Sequence, residues 1–261
     1  MYELANMTWE EVASAVSQGI TTAVLPIGAT EQHGPHMGCG MDSAIAQTLC
    51  HTVAKDCDVI LLPTLPYGCS LGHSHRWPGT LALNPKTLID VISDLGDWAV
   101  ASGIDRLVLV NGHVTNAAPL RCALEILRSR HDNLMIALVH TAQISQRVKE
   151  AHHQDAEDWH ANHAETALMM ALHPELVRND KLAEADDPDR TEGCIFSHPV
   201  NRTSLNGVTG YPSKASAADG EQLFDWMCAD LRELLIKASN EKPPLAHSYS
   251  HSVLQQGDME L

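Results

Sequence analysis

The residues best suited to chemistry lie between Glu31 and Asp42, where Glu-Gln-His-Gly-Pro-His-Met-Gly-Cys-Gly-Met-Asp puts two carboxylates and two imidazoles into one glycine-rich loop. Mixed oxygen and nitrogen donors without an assigned thiolate suit zinc or manganese. A second cluster runs from His152 to Glu165, and His113 closes Asn111-Gly112-His113 after an apolar run. The chain carries 16 histidines, and a single imidazole more often has an ordinary surface or half-buried place than a metal, so it is the clustering that singles these out. Each residue also has a reading without metal. Asp42 opens a helix, where the helix dipole favours an acid; His113 reads equally as a core histidine. Glu165 reads as the N3 partner of a capping box begun by Asn162, or as a metal-binding carboxylate flanked by His160 and His163.

A third stretch, Pro66 to Thr80, is a long loop with His73, His75, Arg76 and Trp77, which offer hydrogen-bond donors and a flat stacking surface. Loops of this length inside a compact domain are usually lids or binding loops, a plain surface loop being the alternative.

The elements that must position these groups alternate. Apolar runs at Thr21–Ile27, 58–62, 105–110 and 134–140 read as buried strands. Amphipathic stretches at 42–55, 85–102, 116–130 and 217–238 read as helices, the second with Leu88, Val91, Ile92, Leu95 and Trp98 inward. Thr8 and Glu11 form a capping box for an earlier helix. The pattern predicts an α/β fold with a largely parallel sheet, and it delivers the Glu31–Asp42 loop and His113 at strand carboxyl ends. Residues 1–238 are expected to be one domain and 239–261 a loosely held tail, while 186–212 carries no readable secondary structure.

Composition limits the partners. A formal charge of −16, from 17 Lys and Arg against 33 Asp and Glu, argues against nucleic acid or an anionic membrane and leaves a small-molecule substrate. Seven cysteines with no Cys-x-x-Cys pair fit reduced thiols. The acidic start Met1-Tyr2-Glu3-Leu4 is unlike a signal peptide and no apolar run is long enough for a span, so a cytoplasmic location is expected.

Taken in order, Leu25-Pro26-Ile27-Gly28-Ala29-Thr30-Glu31-Gln32-His33-Gly34-Pro35-His36 with Asp42, then Trp77-Pro78-Gly79-Thr80, Asn111-Gly112-His113, His163-Ala164-Glu165-Thr166 and Gly207-Val208-Thr209-Gly210-Tyr211-Pro212 resemble the creatininase (creatinine amidohydrolase) family. The likeness runs from about Met7 to Leu235. It implies a three-layer fold, a dinuclear centre of zinc or manganese, with iron admissible, and hydrolysis of a C–N bond. A homo-oligomer, commonly a hexamer, is implied as well. Carried over by position, Glu31, Asp42 and His113 hold one metal, and His33 with the bridging Asp42 the other. In creatininase the last ligand of the second metal is a Glu two residues after the motif histidine. Thr115 stands there in this chain, so Glu165 is the candidate replacement.

His160 aligns with the family's proton-transfer histidine, and Trp159 beside it joins His73, His75 and Trp77 as a candidate substrate contact. Trp159 does not fall where creatininase has its tryptophan, which points away from creatinine itself. Two metals roughly 3.5–4 Å apart lower the pKa of a shared water from about 15.7 toward about 7, and an imidazole is suited to protonate the leaving nitrogen. The leading expectation is opening of a small cyclic amide or related C–N bond by a metal-bridging hydroxide. The alternatives are formamide deformylation, C–C hydrolysis of a cyclic diketone, and, last, a metal-binding protein without catalysis.

Overall fold

The computed structural model describes residues 1–73 and 75–245. In chain order the elements are β1 (Tyr2–Glu3), α1 (Trp9–Ser17), β2 (Thr22–Ile27), α2 (Met41–Ala54), β3 (Ile60–Leu61), α3 (Pro85–Ala101), β4 (Arg106–Asn111), α4 (Ala117–Arg130), β5 (Met135–His140), α5 (Gln146–His152), α6 (His163–Leu172), α7 (Val200–Thr203) and α8 (Ala217–Asn240). The strands form one parallel sheet in the order β1-β3-β2-β4-β5.

Three layers follow from two-residue alternation along the strands. Val24, Val108 and Val110 point into a core shared with α2, α6 and α8, whereas Ala23, Leu25, Ile27, Leu107 and Leu109 meet α3 and α4 on the opposite face. Both faces are covered, which is why the strands read as continuous apolar runs. Pro26 sits in the central strand β2 without a backbone donor. Its carbonyl turns to the β3 side and accepts from Leu65, where β3 has already ended, so no ladder bond is lost.

The chain steps from β2 to β3 through α2 and back past β2 to β4 through α3. With right-handed crossovers, opposite steps put α2 and α3 on opposite faces. A crevice therefore opens at the carboxyl ends of β2 and β4, whose chains leave toward different layers. The Glu31–Asp42 loop and His113 both emerge there. Gly112 allows the close approach: a Cβ on it would lie 2.7 Å from the Asp42 carbonyl at the start of α2.

Several expectations need adjusting. Trp98 is 74 % exposed and Leu95 42 % exposed, not inward. The buried stripe of α3 passes through Leu88, Ile92 and Gly96 at four-residue spacing, which leaves Trp98 on another side of the helix. The amino-terminal β1 adds a fifth strand. The last helix ends at Asn240, and the Glu241 carbonyl is held by Arg106 at 3.0 Å; of the expected tail, residues 246–261 lie outside the described residues. Among the described residues no helix is long and apolar enough to cross a membrane.

Candidate metal centre

Glu31, His33, Asp42, His113, His160 and Glu165 line one cavity of about 170 Å³. Asp42 lies in the first turn of α2, whose cap position is Gly40. Its carboxylate lies between two imidazoles, Oδ1 at 3.3 Å from His33 Nε2 and Oδ2 at 3.2 Å from His113 Nδ1. Glu31 Oε2 is 3.4 Å from His113 Nε2, and Oε1 is 2.9 Å from His160 Nε2. Thr115 also lines the cavity, with its hydroxyl against His113 Nε2.

Backbone carbonyls set the ring orientations. His33 Nδ1 donates to the Glu31 carbonyl at 3.2 Å, His113 Nε2 to the Cys69 carbonyl at 2.9 Å and His160 Nδ1 to the Gly207 carbonyl at 2.7 Å. Each ring thus turns its other nitrogen toward the carboxylates, where a metal ion would take the place of a proton.

Glu165, in the first turn of α6, keeps half of its capping reading and faces the cavity. Asn162 caps the helix by accepting from the Glu165 N–H at 3.2 Å. The Glu165 carboxylate, however, takes the N–H of Ala161 at 2.6 Å rather than that of the cap residue. Ala161 is left-handed (φ 52°), which costs an L-residue roughly 1–2 kcal/mol. The turn is held by this bond and by an antiparallel bridge between His160 and Thr209. It is this turn that sets His160 and Glu165 on the same cavity.

The electrostatics call for a cation. Burial opposes ionisation of Glu31, yet His113 and His160 hold its carboxyl well below the usual range; His33 and His113 lower that of Asp42 despite its burial. Burial pushes His33 and His113 down, but the surrounding carboxylates prevail and bring them up to about 10 and about 9. Burial raises Glu165 more than its neighbouring imidazoles lower it. Glu31 Oε2, His33 Nε2 and Asp42 Oδ2 are buried without a well-aligned hydrogen bond, a state costing about 1–3 kcal/mol per group. Protons on His33 and His113 stand in for positive charge here, and a divalent cation would satisfy the same atoms. The donor set fits such an ion.

A pH dependence follows. A histidine raised in the folded state stabilises fully below its ordinary pKa of about 6.5 and loses that contribution as pH climbs through the folded value; the raised Glu165 runs the same way. The Tm of chelator-treated protein is expected to fall between pH 6.5 and about 9, and that of metal-loaded protein to fall much less. A flat profile without metal would remove this account of the charge balance.

Of the expected substrate contacts, His73 and Trp159 line the cavity, whereas His75 and Trp77 do not. Beyond His73 the loop turns outward. His75 is exposed, and Arg76 stacks 4.9 Å over Trp77 while its guanidinium holds the carbonyls of Asn201, Ser204 and Leu205 at the end of α7. His36 is fully buried and bonds Thr166 at 2.8 Å, tying the loop to α6.

Other contributors were missed. Asn116 donates to the Gly28 carbonyl and to Asn111 Oδ1 and accepts from Cys69 N, joining the segments after β2, β3 and β4. Asp158, His198, Pro199 and Val200 complete the cavity wall. No periodicity marks them; Asn111 alone had a signal, standing beside Gly112-His113.

A site of buried acids and imidazoles at a parallel-sheet switch point defines a metal-ligand type of centre in an α/β protein. The family model described as Creatininase, creatinine amidohydrolase, matches residues 5–235, and the chain belongs to this family. Creatinine amidohydrolase of Pseudomonas putida is 29% identical over 239 residues, covering 85% of this chain and 91% of that protein. The mycofactocin precursor peptide peptidase of Mycolicibacterium smegmatis is 30% identical over 222 residues, covering 81% and 84%. A manganese creatininase structure superposes with a TM-score of 0.82 at 26% identity, covering 92% of this chain and 99% of that one. A mutant creatininase of Zn–Zn type gives 0.81 at 26% identity, covering 92% and 98%. Both curated relatives are hydrolases by name, and the buried carboxylates and imidazoles of this site are groups of the type that ligate metals.

Proposed function

We propose that the protein is a dinuclear-metal hydrolase that opens a small cyclic amide or related C–N bond. Glu31, Asp42 and His113 would hold one ion, and His33, Asp42 and Glu165 the other, as Zn or Mn. The observation that carries the proposal is the convergence of buried, unpartnered carboxylate and imidazole atoms in a cavity that a substrate can enter. The bound ions would polarise the scissile carbonyl and activate water at neutral pH.

The remaining roles fall to the chain's own groups. His160, fixed through Nδ1 by the Gly207 carbonyl, presents Nε2 beside Glu31 and is placed to carry a proton to the leaving nitrogen. His73 and Trp159 flank the substrate. A volume near 170 Å³ compares with roughly 150 Å³ for a cavity that admits benzene, which supports a single ring or a formamide-sized group. Among the described residues no Lys or Arg lines the cavity, and Arg76 is engaged elsewhere, which disfavours a phosphate-bearing substrate.

The peptidase relative supports a second reading, cleavage of a peptide terminus whose last residue enters the cavity. Deformylation and C–C opening of a cyclic diketone are further arms of the same test. That test is a hydrolysis screen of metal-replete enzyme against lactams, cyclic ureides, formamides, cyclic diketones and short peptides. Turnover of peptides alone would overturn the cyclic-amide reading, and absence of stoichiometric Zn, Mn or Fe would overturn the metal centre.

Glu165→Gln is expected to lose one of the two ions and most activity, measured by elemental analysis and kcat. Retention of both ions would return Glu165 to helix capping alone. The proposal includes a homo-oligomer, with the hexamer as its expected form, and a cytoplasmic setting. All seven cysteines are free, which supports a reducing compartment, and light scattering reads the assembly.

A further inference from the structure

Glu31, His73 and His160 bring a second set of ligand-type atoms within 4.8 Å of one another. By spacing alone this is another cation position. The hydrogen bonds around Gln32 argue otherwise. Its buried side-chain amide meets three chain segments: Oε1 accepts from Gly34 N at 2.9 Å, and Nε2 donates to the Gly207 carbonyl at 3.2 Å and to His73 Nδ1 at 3.0 Å. The amide cannot be turned around, because a backbone N–H only donates and a carbonyl only accepts. The group facing His73 is therefore a donor. It takes the Nδ1 lone pair and leaves the ring proton on Nε2.

The same carbonyl of Gly207 accepts from His160 Nδ1 at 2.7 Å, so the Gln32 amide and the His160 ring share one anchor. Gly207 has φ +91°, and a Cβ there would fall 2.0 Å from Gln32 Oε1. The approach is open only to glycine.

We propose that Gln32 is a positioning residue that keeps His73 out of metal ligation. It occupies the lone pair a cation would need on His73, and it shares the Gly207 carbonyl with His160, whose Nε2 bonds Glu31. The assignment of this pair to substrate and proton handling rests on the hydrolase reading; the tautomer of His73 does not.

The test is ring-nitrogen NMR of the full chain labelled with 15N-histidine, without metal and with two equivalents of Zn2+, with His73 assigned by the loss of its signals in His73→Gln. His73 is expected to be neutral with its proton on Nε2, and its Nδ1 signal to stay in place when zinc shifts His33 and His113. A proton on Nδ1, or a zinc-induced shift of His73, overturns the proposal. Q32E keeps the acceptor for Gly34 but removes both donors and adds a carboxylate. It is expected to bind one more zinc per chain than the parent in equilibrium dialysis, now with a His73 shift. Should Q32E not fold, Gln32→Met removes the donor at equal length and is expected to leave His73 as a mixture of tautomers. An unchanged His73 in either variant overturns the proposal. A parent that takes up no zinc sinks the hydrolase reading instead, and the His73 tautomer of the metal-free protein still decides the role of Gln32.

Discussion

Asp42→Asn is expected to empty both metal positions and lower kcat at least a thousandfold, about 4 kcal/mol of transition-state stabilisation. Asp42 stands between the two imidazoles, 3.3 Å from His33 and 3.2 Å from His113, so the proposed ions have it in common. Asparagine preserves the volume and one acceptor while deleting the charge. Because the cap position of α2 is Gly40 and not Asp42, the folded structure should survive, with far-UV circular dichroism like that of the parent. Elemental analysis and turnover then read the same event. A variant that retains two ions per chain would show that Asp42 does not bridge them.

His160→Ala is expected to separate binding from chemistry. Metal content should match the parent's while kcat falls about 10²- to 10⁴-fold, the usual range for losing a general acid or base. The ring's Nε2 is 2.9 Å from Glu31, but the proposed ligand set does not include it. Exogenous imidazole should restore part of the turnover, since truncation leaves a ring-sized space beside His33 and His73. Unchanged turnover would remove His160 from the mechanism. Loss of metal would make it a ligand and contradict the division of labour between it and Glu165.

What could be read from the sequence was whatever local periodicity controls. The runs ending at Ile27 and Val110 announce buried strands because both sheet faces are covered, and their carboxyl ends fix where chemistry belongs. The pairing of Glu31, His33 and Asp42 on one short loop was equally visible. β1 was not, since the two residues Tyr2 and Glu3 are too few to show alternation. Trp98 was misplaced because a helix with apolar residues on more than one side has no single inward face.

Between Asp186 and Pro212 the chain is shaped by tertiary polar contacts. Asp187 accepts from Ser204 Oγ and Leu205 N and pairs with Arg190, and no sequence period encodes such bonds. The same holds for Gln32 and Gly207, whose roles appear only when distant segments meet. Glu165 shows the opposite limit: its capping and site readings were both legible, and the left-handed Ala161 that reconciles them was not.

The crevice between β2 and β4 has a floor and a roof of different origin. The floor is Glu31, His33, Asp42 and His113, set on strand ends and a helix start that belong to the packed interior. The roof, Gly72-His73 and His198-Pro199-Val200, is built from two excursions that lean on each other through Arg76. Reshaping the roof alters which molecule fits while leaving the reactive groups where they were. Relatives named for creatinine and for a precursor peptide share the family, and in this chain the roof is where a change of fit would cost the buried acids and imidazoles least.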